Sequence, residues 1–444
     1  MNKKNCHYSC TLNEVCHEIT VGFVGSMTQE YISEGIPLLR SLNIKPYKLD
    51  LTNIKYISKE FHQKIRKSAL KKGDVVVVRT GQPGTSCVIP DEFDGLNCSD
   101  LVVARPNPEK IDSYYLAFYL NSMAKQYIGN QLVGAIQQHF NIRSAKEMII
   151  HLPSLNEQLK ISKVLNDLNT KIEVNNKINA ELEAMAKLIY DYWFVQFDFP
   201  FDFAQGKPDP NGKPYKSSGG RMVYNKELKR EIPEGWEVNS LGDILKTELG
   251  GTPSTKNRKF WNGEIPWLNS GEIANFPIMA SEENITEEAI SSSATSLMPA
   301  GTCVLSITRH LRPSILGIAA CANQSVVGIL ESEKLKSSFI YPYLVNEIPR
   351  LMTLRTGAQQ PHINKKTVDD SLIVNPSLEV LKQYYKQANP IYKQIINNSF
   401  QNQKLSDLRD WLLPMLMNGQ VTVGEVGEQL GMVAEETQEY KYTK

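Results

Sequence analysis

The residues with most chemistry to offer come in matched segments. One is Arg79-Thr80-Gly81-Gln82-Pro83-Gly84, and its counterpart is Thr308-Arg309-His310-Leu311-Arg312. A second set is Gln137, Gln138, His139, Asn141 and Arg143, matched by Gln359, Gln360, His362, Asn364, Lys365 and Lys366. Arginine suits bidentate contact with guanine, and Gln or Asn with adenine. A glycine-rich loop lets backbone approach a phosphate closely. Arg79, Thr80, Gln82, Thr308, Arg309, His310, Arg312 and the whole second set are therefore candidate DNA contacts. The competing readings are an ordinary solvated loop for the first set and a helix cap with solvated neighbours for the second. A further patch, Lys256-Asn257-Arg258-Lys259, has no counterpart in the first half, and Lys256 and Arg258 suit phosphate contact.

Catalytic patterns are sparse. Asn389-Pro390-Ile391-Tyr392 approaches the Asn-Pro-Pro-Tyr clamp of adenine methyltransferases but has Ile at the third place. It also falls within a helix seam, which favours a structural role. Pro208-Asp209 followed by Glu227-Leu228-Lys229 fits the loose pattern of one nuclease class. It sits in a linker with no predicted strand run to hold those groups rigidly. No glycine fingerprint follows a strand, and there is no Walker loop. The seven cysteines are scattered, and Cys6, Cys10, Cys16 and His17 match no zinc spacing. The expectation is a chain with no catalytic residue and no metal site.

Bulk properties leave room for this reading. The 444 residues allow two or three domains, and 41% hydrophobic with 22% charged residues is ordinary for a globular protein. No stretch approaches ~20 apolar residues, so no membrane span is expected. The opening Met1-Asn2-Lys3-Lys4 has no apolar run behind it, which makes the cytoplasm the default. Net charge is only +1, from 49 basic and 48 acidic residues. Val421 to Lys444 carries five glutamates against two lysines. DNA binding must therefore come from local patches or be shared with partners.

The elements that must position the candidate segments are themselves repeated. Ile36-Pro37-Leu38-Leu39-Arg40-Ser41 aligns with Ile265-Pro266-Trp267-Leu268-Asn269-Ser270 at an offset of 229. Gly73-Asp74-Val75-Val76-Val77-Val78 aligns with Gly301-Thr302-Cys303-Val304-Leu305-Ser306 at 228, and Pro153-Ser154-Leu155 with Pro376-Ser377-Leu378 at 223. Val75 to Arg79, Thr302 to Ile307, Leu101 to Val103 and Val326 to Leu330 read as strands. Ser113 to Ile128 and Ser338 to Leu354 read as helices. Beyond Pro153 the apolar spacing alternates between three and four, through Leu165, Leu168, Ile172, Asn175, Asn179, Leu182, Ala186 and Ile189. Offset 223 carries this seam onto Ala388, Ile391, Ile395, Asn398, Asn402, Leu405, Arg409 and Leu412. Each helix could run ~60 Å. Asn175, Asn179, Asn398 and Asn402 are expected to fix the register of an antiparallel pair. If so, replacing Asn175 and Asn398 with Leu should raise thermal stability.

Several segments together resemble the specificity subunit of Type I restriction–modification systems. They are the Gly134-Ala135-Ile136-Gln137-Gln138 and Gly357-Ala358-Gln359-Gln360 runs, Pro153-Ser154-Leu155-Asn156-Glu157-Gln158, Asn211-Gly212-Lys213-Pro214-Tyr215-Lys216-Ser217-Ser218-Gly219-Gly220, and Glu231-Ile232-Pro233-Glu234-Gly235-Trp236. The resemblance spans almost the whole chain. It departs where His7 stands at the position of Trp236. It implies an α+β fold: two pseudo-repeated α/β target recognition domains separated by two long helices forming an antiparallel coiled coil. The expected limits are recognition domains over 1–153 and 236–376, spacer helices over 154–197 and 377–419, a linker over 198–235 and a tail over 420–444.

The resemblance further implies that each domain reads one half of a bipartite double-stranded DNA site. The helices would dock methylation subunits, expected to be two, and restriction subunits would join through that complex. S-adenosylmethionine, ATP and Mg would be bound by those partner chains and not by this one. Two alternatives come from other classes. A fused restriction–modification enzyme would transfer methyl groups as the purified chain alone. A two-headed protein-interaction scaffold would give a uniform DNA footprint.

Overall fold

The computed structural model describes residues 8–122, 140–357, 359 and 361–424. Cys6, His7, Gln137, Gln138, His139 and Gln360 lie outside the described residues. The chain divides into two compact units. Unit one comprises Met1–Ile172 with Lys404–Lys444, and unit two comprises Glu173–Gln403.

Unit one is built on an antiparallel sheet ordered Cys16–Val21, Leu101–Pro106, Val75–Val78, Ser86–Val88. The Val75–Val78 run is apolar throughout because both of its faces are covered. Val75 and Val77 join the core that holds the helix Ser113–Ser122, while Val76 and Val78 join a second core with Leu39, Cys87 and Cys98. Fully burying each of these valines stabilises the fold by about 1.5–3 kcal/mol. A smaller sheet places Ile36–Leu39 between Lys55–Ile57 and Asn97–Cys98, with the last strand parallel. Tyr8–Thr11 pairs antiparallel with Ile149–Leu152.

Unit two repeats this plan. Its main sheet is ordered Thr247–Leu249, Val326–Ile329, Cys303–Ser306, Arg312–Ile315. Trp261–Leu268 lies between Glu283–Ile285 and a parallel Cys321–Ala322. Glu237–Ser240 pairs with Leu372–Asn375. The helix Ser337–Thr353 closes the main sheet.

The two long helices are Leu155–Tyr190 and Leu378–Met417. Their first residues differ by the repeat offset, although the first turns differ in chemistry. Buried Gln158 donates to the Pro153 and Lys110 carbonyls and accepts from the Asp112 N–H. Its counterpart is the buried apolar Leu381. The first helix ends in a π-helical turn, Asp191–Val195, followed by Phe197 at φ 64°. Gly419 at φ 71° follows the second, as expected for a left-handed helix stop.

Within unit two the helices run antiparallel through the asparagine layer. Asn175 Nδ2 donates to Asn402 Oδ1 at 2.8 Å, and Asn398 Nδ2 donates to Asn179 Oδ1 at 2.8 Å. Asn402 Nδ2 also donates to Asn176 at 2.8 Å, and Gln394 Nε2 to Asn398 at 2.7 Å. Within unit one, Ile161 and Leu165 share a core with Leu412, Leu413 and Leu416. Arg409, at the seam position of Ala186, donates to Asn169 and lies 5.0 Å from the Tyr47 ring centroid.

This pairing overturns one expectation. Asn175 and Asn398 do not face each other, and replacing both breaks two different pairs. It takes the donor from Asn402 Oδ1 and from Asn179 Oδ1, while Asn402 Nδ2 keeps Asn176 and Asn179 Nδ2 keeps Ser399 Oγ and the Ile395 carbonyl. A half-buried amide oxygen left without its donor destabilises by about 1 kcal/mol, so that double substitution should lower stability.

The linker is also more structured than its turn-rich sequence suggests. Pro200–Asp202 pairs with Lys207–Pro208 and Lys213–Pro214, and Met222–Asn225 forms a hairpin with Arg230–Pro233. Phe199 stacks on Tyr215 at 4.7 Å and on Trp236 at 5.2 Å between centroids, which anchors these strands. The nuclease-like residues occupy two separate turns. Asp209 Oδ1 accepts from Asn211 N, while Glu227 N donates to Asn225 Oδ1 in the other hairpin. Among the described residues no three His, Cys, Asp or Glu side chains converge on one point. Cys10 and Cys16 are free thiols, and burial pushes Cys16 up to about 12. Among the described residues no helix is long and apolar enough to cross a membrane.

Candidate nucleic-acid interface

The structure brings together the two segments that sequence reading treated separately. In unit one Phe140 N donates to Arg79 O at 2.9 Å. In unit two Ile363 N donates to Ile307 O at 3.0 Å. These are the same bond by the repeat, since Arg79 and Ile307 follow equivalent strands and Phe140 and Ile363 differ by 223. In unit two the junction extends further. Thr308 bridges His362, His362 bridges Thr356, and Arg309 N donates to Pro361 O at 2.8 Å. In unit two the loop after the strand and the segment around His362 therefore form one edge.

That equivalence shifts the alignment of the candidate residues. Arg79 matches buried Ile307, not an exposed loop residue. Its Nη1 donates to Asp100 Oδ1 at 2.5 Å, and its side chain is only 21% exposed. Arg79 thus braces the loop through Asp100, with its Nε buried and without a hydrogen-bond partner. Gly81, at φ 85°, matches Arg309, at φ 55°. Both positions are left-handed, which costs a non-glycine residue roughly 1–2 kcal/mol. Unit two accepts that strain to present an exposed arginine. Arg355 Nη1 holds the loop by donating to Arg309 O at 2.8 Å. Sequence reading missed Arg355, because nothing local marks a contact 46 residues away.

The other candidates divide by what already holds them. Thr80 is half-buried, while Gln82, His310, Arg312, Gln359, His362 and Lys366 are exposed. Asn141 and Asn364 are helix N-caps. Asn141 Oδ1 accepts from Ser144 N at 2.9 Å, and Asn364 Oδ1 from Thr367 N at 2.8 Å. Capping alone explains why these two asparagines recur, and it leaves only their Nδ2 atoms to donate. Arg143 donates to Glu147 at 2.9 Å, which raises its pKa, and Lys365 to Asp369 at 2.6 Å. Lys256 and Arg258 are exposed beside the short 3-10 helix Arg258–Phe260, capped by Asn257. The methyltransferase-like tetrad is structural. Asn389 accepts from Ser338 Oγ at 2.6 Å, and Tyr392 is buried 6.1 Å from Tyr341 between ring centroids.

A duplicated α/β unit with long helices and two polar loop edges is the architecture of a DNA-specificity protein. Residues 30–184 and 233–405 both match the Type I restriction modification DNA specificity domain, and the chain belongs to that family. It carries two DNA recognition domains of a type I specificity subunit. It is 27% identical over 326 residues to the Type I restriction enzyme MjaIX specificity subunit of Methanocaldococcus jannaschii, covering 72% of each chain. It is 24% identical over 432 residues to the HindI specificity subunit of Haemophilus influenzae, covering 86% of this chain and 92% of that one. The fold is shared with the solved Type-I restriction-modification S subunit from M. genitalium. There the TM-score is 0.53 at 14% identity, over 94% of this chain and 97% of that one.

Proposed function

We infer that each recognition domain reads one half of a bipartite duplex site, and that the long helices dock the methylation subunits, two per complex. One observation carries this reading. The same backbone bond joins the end of the central strand to Phe140 in unit one and to Ile363 in unit two, while the side chains of the loops that follow the strands differ. A common frame with different readers suits two different half-sites.

In unit two, Arg309, His310 and Arg312 face bases or phosphates with Gln359, His362 and Lys366 beside them. In unit one, Thr80 and Gln82 take this place, with Gln137, Gln138 and His139 in the adjoining segment. Lys256 and Arg258 contact phosphates, which position the domain without reading sequence. Methyl transfer and cleavage, with S-adenosylmethionine, ATP and Mg, belong to methylation and restriction chains. The protein works in the cytoplasm.

The test is modified-base sequencing of host DNA, followed by footprinting of the complex with its methylation partner. A split methylated motif protected in both halves is expected. A uniform footprint, or methyl transfer by the purified chain alone, overturns the reading.

A further inference from the structure

The two units share another element whose charge has diverged completely. After the equivalent strands Lys55–Ile57 and Glu283–Ile285 comes a short capped helix in each. Ser58 Oγ accepts from Phe61 N at 3.0 Å, and Thr286 Oγ1 accepts from Ala289 N at 3.4 Å. The helices are Lys59–Lys64 and Glu287–Ser291, and each path continues to a buried residue, Leu70 or Met298. Scaffold and register are thus alike. Yet residues 59–72 of unit one hold six Lys or Arg against one Glu, while residues 287–300 of unit two hold two Glu and no cation. Packing does not explain the difference, because the charged side chains are exposed in both.

In unit one this ledge borders a groove of about 630 Å³ whose lining includes Arg66, Lys67, Lys71, Glu18, Asp94 and Arg105. The two acids are already engaged. Glu18 accepts from Arg105 Nη1, and Asp94 Oδ1 accepts from Lys72 N at 2.9 Å. Arg66, Lys67 and Lys71 are exposed and form no ion pair among the described residues. Their charge is available to an outside anion.

Lys71 lies just before the strand Val75–Val78, and the reading loop begins just after it. That strand is about 13 Å long at ~3.3 Å per residue. It matches the rise of roughly four base pairs at ~3.4 Å each, so one duplex can meet both.

We propose that Arg66, Lys67 and Lys71 form a phosphate-gripping ledge, present on unit one and missing from the equivalent residues 294–299 of unit two. It holds the duplex backbone beside the half-site without reading bases. The proposal rests on the DNA-binding function inferred above and adds a second, sequence-independent contact to it.

The experiment uses the full chain in complex with its methylation partner, with Arg66→Gln, Lys67→Gln and Lys71→Gln combined. Affinity is measured against salt for two probes: a duplex with the mapped bipartite site and a mixed-sequence duplex. The expected result is a salt slope shallower by about 2.7 on both probes, from ~0.9 per phosphate contact, with their affinity ratio unchanged. An unchanged slope overturns the ledge. So does a changed ratio, which would make these residues base readers. An unchanged slope with lost assembly would mark the ledge as a protein dock, and also overturns it. Failure of the broader function looks different, because the unmodified complex would then show no preference for the mapped site.

Discussion

The position after each main-sheet loop is left-handed in both units, but it is Gly81 in one and Arg309 in the other. Gly81 meets no restriction, and a Cβ there would touch nothing within 4 Å. Arg309 adopts the same backbone against its own preference, held by Pro361 O and Arg355. Unit one instead places its arginine two residues earlier, where Asp100 occupies it. The contrast separates two uses of one residue type. A half-buried, paired arginine builds a loop, whereas a strained, exposed arginine is available to read.

The largest expected effect tests the reading side of this contrast. Arg309→Ala should relax preference in one half-site at a cost of about 1–3 kcal/mol, measured on duplexes varied in that half-site alone. An equal loss on every sequence would make Arg309 a phosphate contact. The next asks whether the frame shared by the two edges depends on the helix seam. Asn402→Leu should lower unfolding stability by about 1 kcal/mol, because buried Asn175 loses its 2.8 Å acceptor and keeps only Gln401 Oε1 at 3.4 Å. Adding Asn175→Leu should recover most of that loss in denaturant titrations. A silent Asn402→Leu would show that the seam is indifferent to this pair.

Smaller effects probe the left-handed position directly. Gly81→Ala should destabilise by about 1 kcal/mol, and Arg309→Gly should stabilise by a similar amount while losing half-site preference. Loss of stability in Arg309→Gly would mean that its side chain holds the loop, which would erase the contrast. The smallest effect is expected at Asp100→Asn. It should cost about 0.5 kcal/mol in thermal melting, since this pair is partly solvated. A large loss there would give unit one's arginine a heavier structural role than the exposed acid suggests.

Much of the frame was legible in the sequence because it repeats. Offset 223 located both helix starts, and the apolar runs after Gly73 and Gly301 marked the main strands. The asparagine seam was visible as positions, but its partners were not. An intrahelical repeat says which residues face inward, not which residue on the other helix each one meets. The linker hairpins were hidden for a different reason. Their strands are two to four residues long and partly proline, so aromatic stacking holds them more than strand propensity does. Within the interface, the sequence sets Arg79 against Thr308, one residue past its structural match, because Ile307 gives no polar signal to align with it. The ledge at Lys59 to Lys72 was read over because a charge run is usually a solvated face. Only the acidic counterpart in unit two makes it distinctive.

The asparagine layer has a consequence for how such a chain can change. Under the repeat, the pair Asn175–Asn402 becomes Asn398–Asn179, so the two pairs are copies of one another. Any single replacement breaks one of these 2.8 Å amide pairs, and restoring a matched pair requires a change more than two hundred residues away. The polar loop edges face no such barrier. Their side chains hang from a backbone bond that does not depend on what they are. The helices are thus the part of the molecule that inheritance locks, and the loops are the part it leaves open to revision.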